Sequence, residues 1–205
     1  MFHLTEPQWG VVLSKSLHTW MQASPFLLFW IPKCADLFVL TYPIYLLILY
    51  IYGMAKKKIY YKKAAIFIFV GAILSEVVNI LAQFFVDKAR PNVVLWMADL
   101  KTKSILHAYL PSSSFPSDHA ALSMGIAITS LLRWMKNKDK KFLRFGWILV
   151  VFSLITWFCR ITAAIHWPTD VIAGSILGII VPLLLMNRKI YNLIDRFGDW
   201  IGKII

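Results

Sequence analysis

Long apolar runs separated by short polar loops dominate the sequence. Five of these runs are clear, at about 34–53, 64–86, 119–135, 145–163 and 169–187. Each is close to the ~20 residues that a helix needs to cross the hydrocarbon core of a bilayer. The pattern predicts an all-α fold, a polytopic membrane helix bundle with five transmembrane helices.

Residues 7–32 fit this pattern less well. They are apolar and aromatic, but Lys15, His18, Pro25 and Pro32 interrupt them. An interfacial helix is slightly favoured here over a sixth span.

Composition agrees with a membrane location. Of the 205 residues, 59% are hydrophobic and 16% are charged, against ~45–50% and ~25% in soluble domains. This composition excludes a disordered, collagen-like or disulfide-framework protein. Five or six spans fill the length, so we expect one membrane domain over residues 1–205, with a short amphipathic helix after Met186.

The net charge of +12 is best explained by membrane topology. Fifteen of the 22 basic residues lie in the 54–63 link, the 133–144 link and the C-terminal tail. Basic loops stay on the cytoplasmic side under the positive-inside rule. By alternation, the 87–118 loop and the 164–168 turn face outward. The charge therefore does not indicate a nucleic-acid partner.

The outward 87–118 loop begins and ends with residues that suit an anion. Pro91 disfavours helical geometry at Arg90, so we expect the preceding helix to end here with the guanidinium at its outer tip. Lys88 adds a point charge. Ser117 is placed as the N-cap of the next helix, whose free amides favour a negative ligand.

A second group of candidate residues surrounds the 164–168 turn. Arg160 ends one apolar run, and its planar guanidinium suits bidentate phosphate contacts. The spacing of four lets the Asp170 carboxylate approach the His166 ring and orient it as a nucleophile or base. His119 remains available for proton transfer to a leaving group. Together these groups favour phosphoryl transfer, which depends on positioning and charge stabilisation.

A polar stripe is predicted within the membrane. Glu76, Asn79, Gln83 and Arg90 follow spacings of three, four and seven, so they fall on one face of a helix. Such a face lines either a wet cavity below an anion site or an ordinary interhelical contact. For Glu76 these two interpretations are equally favoured.

The outward motifs together resemble those of the type 2 phosphatidic acid phosphatase superfamily of membrane lipid phosphatases. The matching motifs are Arg90-Pro91, Pro116-Ser117-Asp118-His119, and Arg160 followed by His166 and Asp170. They occur in the family's order and spacing and span residues 83–170. Two positions differ: the family lysine falls at Gln83, and Cys159 stands where the pattern has serine.

The resemblance implies a role for each matching residue. His166 would be the nucleophile that forms a phosphohistidine, with Asp170 orienting it. His119 would protonate the departing oxygen and then activate water. Arg90, Arg160 and the Ser117 region would hold the phosphate oxygens. The resemblance implies no metal, no other cofactor and no protein partner.

Within the superfamily, the sequence is most similar to bacterial undecaprenyl-diphosphate phosphatases of the bacitracin-resistance type. This similarity rests on Asp118 and on the run from His166 to Asp170. It implies an isoprenyl diphosphate substrate, hydrolysed at the outer face of the bacterial cell membrane during lipid-carrier recycling.

Three alternatives stay open at this stage. The nearest is a phosphatase of glycerolipid phosphates, such as phosphatidylglycerophosphate or phosphatidic acid. A transporter that uses the polar stripe is less favoured, because the sequence lacks paired repeats or broken helices. The third is a metal-dependent hydrolase with His119, His166 and Asp170 as a 2-His-1-carboxylate ligand set.

Overall fold

The structure, a computed structural model, describes residues 2–95 and 113–204, and these residues are mostly helical. The elements in chain order are strand β1 (Phe2–His3), helices α1 (Gln8–Gln22) and α2 (Pro25–Leu37), a 3₁₀ turn (Phe38–Leu40), helices α3 (Thr41–Ala55) and α4 (Ile59–Phe85), strand β2 (Val86–Asp87), and helices α5 (Pro91–Val94), α6 (Asp118–Asn137), α7 (Lys140–Thr162), α8 (Pro168–Leu185) and α9 (Arg188–Ile204).

Four helical segments in the described part of the chain are long and apolar enough to cross a membrane. They are Pro25–Ala55, Ile59–Phe85, Lys140–Thr162 and Pro168–Leu185. The predicted all-α membrane bundle is therefore confirmed in outline. The finer count of five spans plus an N-terminal helix stays a prediction.

The predicted run at 119–135 forms α6, which lies at the centre of the bundle against α4, α7 and α8. Ser123, Thr129 and Ser130 of α6 are fully buried, and each hydroxyl donates to a backbone carbonyl of the preceding turn. Because α6 carries these polar groups in the interior, it is less apolar than the four candidate spans.

Residues 7–32 form two helices, and the break between them falls immediately before Pro25. α1 ends at Gln22, and Pro25 occupies the first position of α2, where a missing amide costs nothing. Pro32 lies inside α2. α2 then continues through the 3₁₀ turn into α3, which gives one apolar segment of 31 residues.

The end of α4 also differs from the prediction. The helix stops at Phe85, and Val86–Asp87 are extended because they pair in parallel with Phe2–His3. Arg90 keeps an extended backbone immediately before Pro91, which begins α5. The prediction that Arg90 shares a helix face with the polar stripe was therefore wrong.

Close contact between α6 and α8 brings two motif-bearing helix starts together. A Cβ on Gly174 would lie 2.3 Å from the Ser117 carbonyl oxygen, and one on Gly178 would lie 2.5 Å from that of Ala121. Small residues allow this backbone approach between membrane helices. The Ser117 amide donates to the Asp170 carbonyl at 3.0 Å, which fixes the two helix starts side by side.

The basic loops and the predicted site lie at opposite ends of the bundle. At one end, Lys63 Nζ lies 2.6 Å from an Asp195 carboxylate oxygen. This contact attaches α9, which confirms the predicted helix after Met186. At the other end, Lys88 Nζ lies 2.7 Å from Asp170 Oδ1. Which end faces outward stays a prediction from the basic loops.

Candidate active site

Three segments meet at the end of the bundle that carries the motifs. They are residues 86–91 after α4, 113–119 at the start of α6, and 160–170 at the junction of α7 and α8. His166 and Asp170 are fully buried there, and Arg160 is 3% exposed. The remainder of the 87–118 loop, residues 96–112, lies outside the described residues.

His166 lies in the turn before α8 with both ring nitrogens in defined positions. Nδ1 lies 2.9 Å from the Ser114 carbonyl oxygen and 3.7 Å from Asp170 Oδ2. Because a carbonyl only accepts, the contact to Ser114 places the proton on Nδ1 of the neutral ring. The lone pair then resides on Nε2. Asp170 lies beside the ring as the spacing predicted, but the shorter contact to Nδ1 is that of Ser114.

Two guanidinium groups approach the same nitrogen of His166. Arg90 Nη1 lies 3.4 Å and Arg160 Nη2 lies 3.3 Å from Nε2. Arg90 Nη1 also donates to the Ile165 carbonyl at 3.2 Å, and Arg160 Nη1 donates to Asp36 Oδ1 at 3.1 Å. The Nε2 lone pair therefore lies beside two guanidinium groups, whose N–H donors are suited to binding phosphate oxygens.

Burial lowers the pKa of His166 well below its usual range, because a charged imidazolium loses its hydration there. The positive charges of Arg160 and Arg90 lower the pKa further, while Asp118 opposes them. His166 is therefore neutral at neutral pH, the form in which an imidazole acts as a nucleophile.

The Asp170 carboxylate holds the parts of the site together. Oδ2 accepts the Trp167 backbone amide at 2.8 Å and the Ser114 hydroxyl. Oδ1 accepts from Lys88 Nζ at 2.7 Å. Ser114 therefore links Asp170 to His166, since its hydroxyl contacts the carboxylate and its carbonyl contacts the ring.

Lys88, predicted as a phosphate ligand, contacts protein groups in this structure. Its ammonium group donates to Glu6 Oε2 at 2.6 Å, Thr169 Oγ1 at 2.6 Å and Asp170 Oδ1 at 2.7 Å. These contacts favour a role beside Asp170. A direct contact of Lys88 with phosphate stays a prediction.

The start of α6 places Ser117 next to the 160–170 segment, since the Ser117 amide donates to the Asp170 carbonyl. Ser117 is the N-cap residue, as predicted, but its hydroxyl makes no capping hydrogen bond. That hydroxyl is buried and has no hydrogen-bond partner among residues 2–95 and 113–204. It is therefore available to a phosphate oxygen. His119 lies in the first turn of α6 and is partly exposed.

The polar residues of α4 contact this same helix start. Gln83 Nε2 donates to the Pro116 carbonyl at 2.9 Å and also contacts the Asp118 carboxylate. Asn79 Nδ2 lies 3.4 Å from the Asp118 carboxylate. Gln83, at the position of the family lysine, therefore binds the motif backbone. Glu76 is partly buried, and its role stays open.

The metal-dependent alternative finds no support in the geometry. Across the described ranges, no group of three or more His, Cys, Asp or Glu side chains is placed to hold a metal ion. His119, His166 and Asp170 all fall within those ranges, so they do not form the ligand set considered above.

Sequence reasoning missed three residues that contact the site. Ser114 binds both His166 and Asp170, Asp36 binds Arg160, and Glu6 binds Lys88. Ser114 lies two residues before Pro116 of the predicted motif, and this closeness was the only signal for it in the sequence. Asp36 and Glu6 lie in segments without any motif, so the sequence held no comparable signal for them.

Comparison with known proteins agrees with this geometry. The chain matches the PAP2 superfamily over residues 64–193. It is 28% identical over 166 residues to undecaprenyl-diphosphatase BcrC of Bacillus subtilis (strain 168). The matched region is 81% of this chain and 76% of that protein.

Two further proteins match with different coverage. An undecaprenyl-diphosphatase of Sulfolobus acidocaldarius is 36% identical over 69 residues, which is 32% of this chain and 28% of that protein. The crystal structure of Aquifex aeolicus LpxE has a similar fold, with a TM-score of 0.54 at 22% identity. That match covers 90% of this chain and 98% of the LpxE chain. The superfamily match spans more than half of the chain, so this protein belongs to the PAP2 superfamily, whose phosphatases are hydrolases that act on phosphate esters.

Proposed function

We propose that this protein hydrolyses an isoprenyl diphosphate, with undecaprenyl diphosphate as the leading substrate, to the monophosphate at the outer leaflet of the bacterial cell membrane. Two relatives that carry the name undecaprenyl-diphosphatase support the substrate class. The apolar helical segments support a lipid substrate that reaches the site from the bilayer.

The observation that carries the proposal is the environment of His166. Its Nδ1 proton is held by the Ser114 carbonyl, and its Nε2 lies between the guanidinium groups of Arg90 and Arg160. This arrangement presents a lone pair where two cations would hold the oxygens of a phosphoryl group. A buried neutral imidazole in that position supports a nucleophilic role.

In the first step, His166 Nε2 attacks the terminal phosphorus. A P–N bond forms as the P–O bond to the leaving monophosphate breaks, and the electron pair of that bond goes to the leaving oxygen. His119 donates a proton to that oxygen. Asp170 stabilises the positive ring of the phosphohistidine, and Arg90 and Arg160 bind the phosphoryl oxygens.

In the second step, water attacks the phosphohistidine. His119, now without its proton, accepts one from the water, and the P–N bond breaks with its electron pair returning to Nε2. Inorganic phosphate then leaves and carries the oxygen atom of the attacking water. The Ser117 hydroxyl and the amides at the start of α6 contact the phosphate oxygens through both steps.

Substrate choice is tested with purified enzyme on a matched panel. Isoprenyl diphosphates are compared with phosphatidylglycerophosphate and phosphatidic acid at equal surface concentration in detergent micelles. We expect kcat/KM to be highest for the isoprenyl diphosphate. A much higher value for a glycerolipid phosphate would overturn the substrate and leave the phosphatase assignment intact.

The nucleophile is tested with His166→Ala. We expect phosphate release to fall at least ~10³-fold, because no other group replaces the attacking nitrogen. Quenching of wild type in alkaline detergent, after brief exposure to substrate labelled with ³²P at its terminal phosphate, should trap a protein-bound label that survives alkali, is lost in acid and is missing from His166→Ala. Because one relative is named a bacitracin transport permease, BcrC of Bacillus licheniformis, phosphate release also separates an enzyme from a transporter.

Orientation is tested by labelling single cysteines in intact cells, in a background without Cys34 and Cys159. We expect a membrane-impermeant thiol reagent to label Ala89→Cys without permeabilisation, and Lys57→Cys only after it. The opposite pattern would refute the outward-facing site and leave the chemistry unaffected.

A further inference from the structure

We propose that Glu6 is a positioning residue for His166 that acts through Lys88 and Asp170. The inference rests on the proposed function, because it concerns the same nucleophile. It extends the site to the N-terminal segment, which carries no motif.

Glu6 is attached to the site by short contacts. Its Oε2 accepts from Lys88 Nζ at 2.6 Å and from the Thr169 hydroxyl. Lys88 also donates to Asp170 Oδ1, whose second oxygen lies 3.7 Å from His166 Nδ1. A continuous line of polar contacts therefore runs from Glu6 to the nucleophile.

These groups are buried deeply enough for their charges to interact with the His166 ring. The side chains of Lys88, Glu6 and Asp170 are 3%, 2% and 0% exposed. Charges without access to water are weakly screened and interact over longer distances than exposed ones. A change of charge at Glu6 should therefore be felt at the His166 ring.

The Glu6 carboxylate occupies space that a side chain at position 10 would otherwise fill. A Cβ built on Gly10 would lie 1.9 Å from Glu6 Oε1 and 2.7 Å from Glu6 Cδ. Glycine at position 10 is thus needed for this orientation of Glu6. The pairing of Phe2–His3 with Val86–Asp87 holds the N-terminal segment next to Lys88.

The charge balance explains what Glu6 contributes. Lys88 alone would offset the negative charge of Asp170, and the ring would then face a neutral pair. With Glu6 present, the three groups carry a net charge of −1 beside His166. This negative charge stabilises the positive ring that forms when Nε2 attacks phosphorus.

Other charged groups face His166 and set the background for this effect. Arg90 and Arg160 approach Nε2, Asp170 lies beside Nδ1, and Asp118 acts from the start of α6. The titratable His119 lies next to Asp118 on the same helix. A substitution at Glu6 replaces none of these residues, so each keeps its own charge in the comparison with wild type.

The experiment compares Glu6→Gln with wild type on a short-chain isoprenyl diphosphate in detergent micelles. Glutamine keeps the size and one acceptor oxygen but removes the charge. We expect kcat to fall ~10-fold with KM within ~2-fold. Losing a negative charge lowers the pKa of the ring, so the acidic limb of kcat/KM should move to lower pH.

Asp87→Asn is the matched control. Asp87 lies in the same two-stranded pairing, but its side chain is 46% exposed and pairs with His3 at 3.1 Å. We expect this variant to keep the wild-type kcat and the wild-type acidic limb. If Asp87→Asn moved the limb as far as Glu6→Gln, the effect would come from general surface charge and the proposal would be overturned.

Gly10→Ala tests the same inference without changing any charged residue. Its methyl group would displace the flexible Glu6 carboxylate, so kcat and the acidic limb should shift in the same direction as in Glu6→Gln. Gly198→Ala in α9 is its control, since a Cβ there lies 3.5 Å or more from its neighbours.

Two outcomes separate the proposals. Wild-type kcat and an unmoved acidic limb in both Glu6→Gln and Gly10→Ala, with His166→Ala inactive, would overturn the role of Glu6 alone. Full activity of His166→Ala would instead overturn the proposed mechanism. If Glu6→Gln were recovered in too small an amount, Gly10→Ala would decide by the same two measurements.

Discussion

Two lysines in this chain each lie between two carboxylates, at opposite ends of the helix bundle. Lys63 of α4 contacts Asp195 and Asp199 of α9 at 2.6 and 2.9 Å. Lys88, after the other end of α4, contacts two carboxylates at 2.6 and 2.7 Å. In both clusters one ammonium group contacts two carboxylates at similar distances, and Arg133 also lies 4.0 Å from Asp195 in the Lys63 cluster.

The clusters differ in their access to water. The side chains of Asp195 and Asp199 are 31% and 43% exposed, whereas those around Lys88 are exposed by 3% or less. Exposed ion pairs stabilise a fold by ~0–1 kcal/mol. Breaking a buried pair leaves an unpaired charge and costs ~3–5 kcal/mol. Similar contacts therefore attach a peripheral helix at one end and hold the candidate active site together at the other.

Replacing each lysine by methionine should give the largest contrast. We expect Lys88→Met to destabilise the protein by ~3–5 kcal/mol, because two buried carboxylates lose their shared cation. Lys63→Met should cost ~1 kcal/mol or less. Thermal unfolding in detergent would measure both variants. Equal shifts in the unfolding midpoint would show that burial does not distinguish the two clusters.

The buried arginines allow a second contrast, in activity. Arg160→Lys should lower kcat/KM ~10–100-fold, because lysine loses the planar fork that reaches both His166 and Asp36. Arg133→Lys at the opposite end of the bundle should keep kcat/KM within ~2-fold per folded molecule, since Arg133 contacts Tyr191 and Asp195 of α9 and none of the site residues described above. Steady-state kinetics on each variant, after purification by size-exclusion chromatography, would measure both losses. A comparable loss in both variants would mean that Arg160 acts through stability.

The sequence predicted the parts of this arrangement that depend on local spacing. Arg160, His166 and Asp170 lie within eleven consecutive residues, and the structure brings their side chains together. The Ser117 N-cap follows likewise from the residues beside it. Apolar length alone predicted runs that overlap the four helical segments long enough to cross a membrane, because a bilayer sets a similar length for each.

The sequence could not predict contacts between distant segments. Glu6 and Lys88 are 82 positions apart, and Asp36 and Arg160 are 124 apart. No periodicity relates such pairs, since they meet only after the helices pack. Arg90 was placed on the wrong element for the same reason, because a strand at the N-terminus makes the chain extended after Phe85.

Acidity should distinguish the buried site with a smaller effect. At pH 6, only about a quarter of the molecules of a histidine with an ordinary pKa of ~6.5 are in the neutral form. Burial and two guanidinium groups lower the pKa of His166, so its neutral form persists to lower pH than that of an ordinary histidine. We expect kcat/KM at pH 6 to stay above half of its maximum. An acidic limb centred at or above ~6.5 would contradict this environment.

Salt should produce the smallest effect and the sharpest separation of the two lysines. The Debye length falls from ~10 Å at 0.1 M to ~3 Å at 1 M, which screens exposed charges but not buried ones. The difference in unfolding midpoint between wild type and Lys63→Met should therefore shrink towards zero as salt rises. For Lys88→Met the difference should persist, because the side chains of Glu6 and Asp170 are 2% and 0% exposed and are therefore weakly screened by salt. Loss of the Lys88→Met difference at high salt would mean that ions screen the contacts of Lys88 with Glu6 and Asp170, and burial would then not explain the lowered pKa of His166.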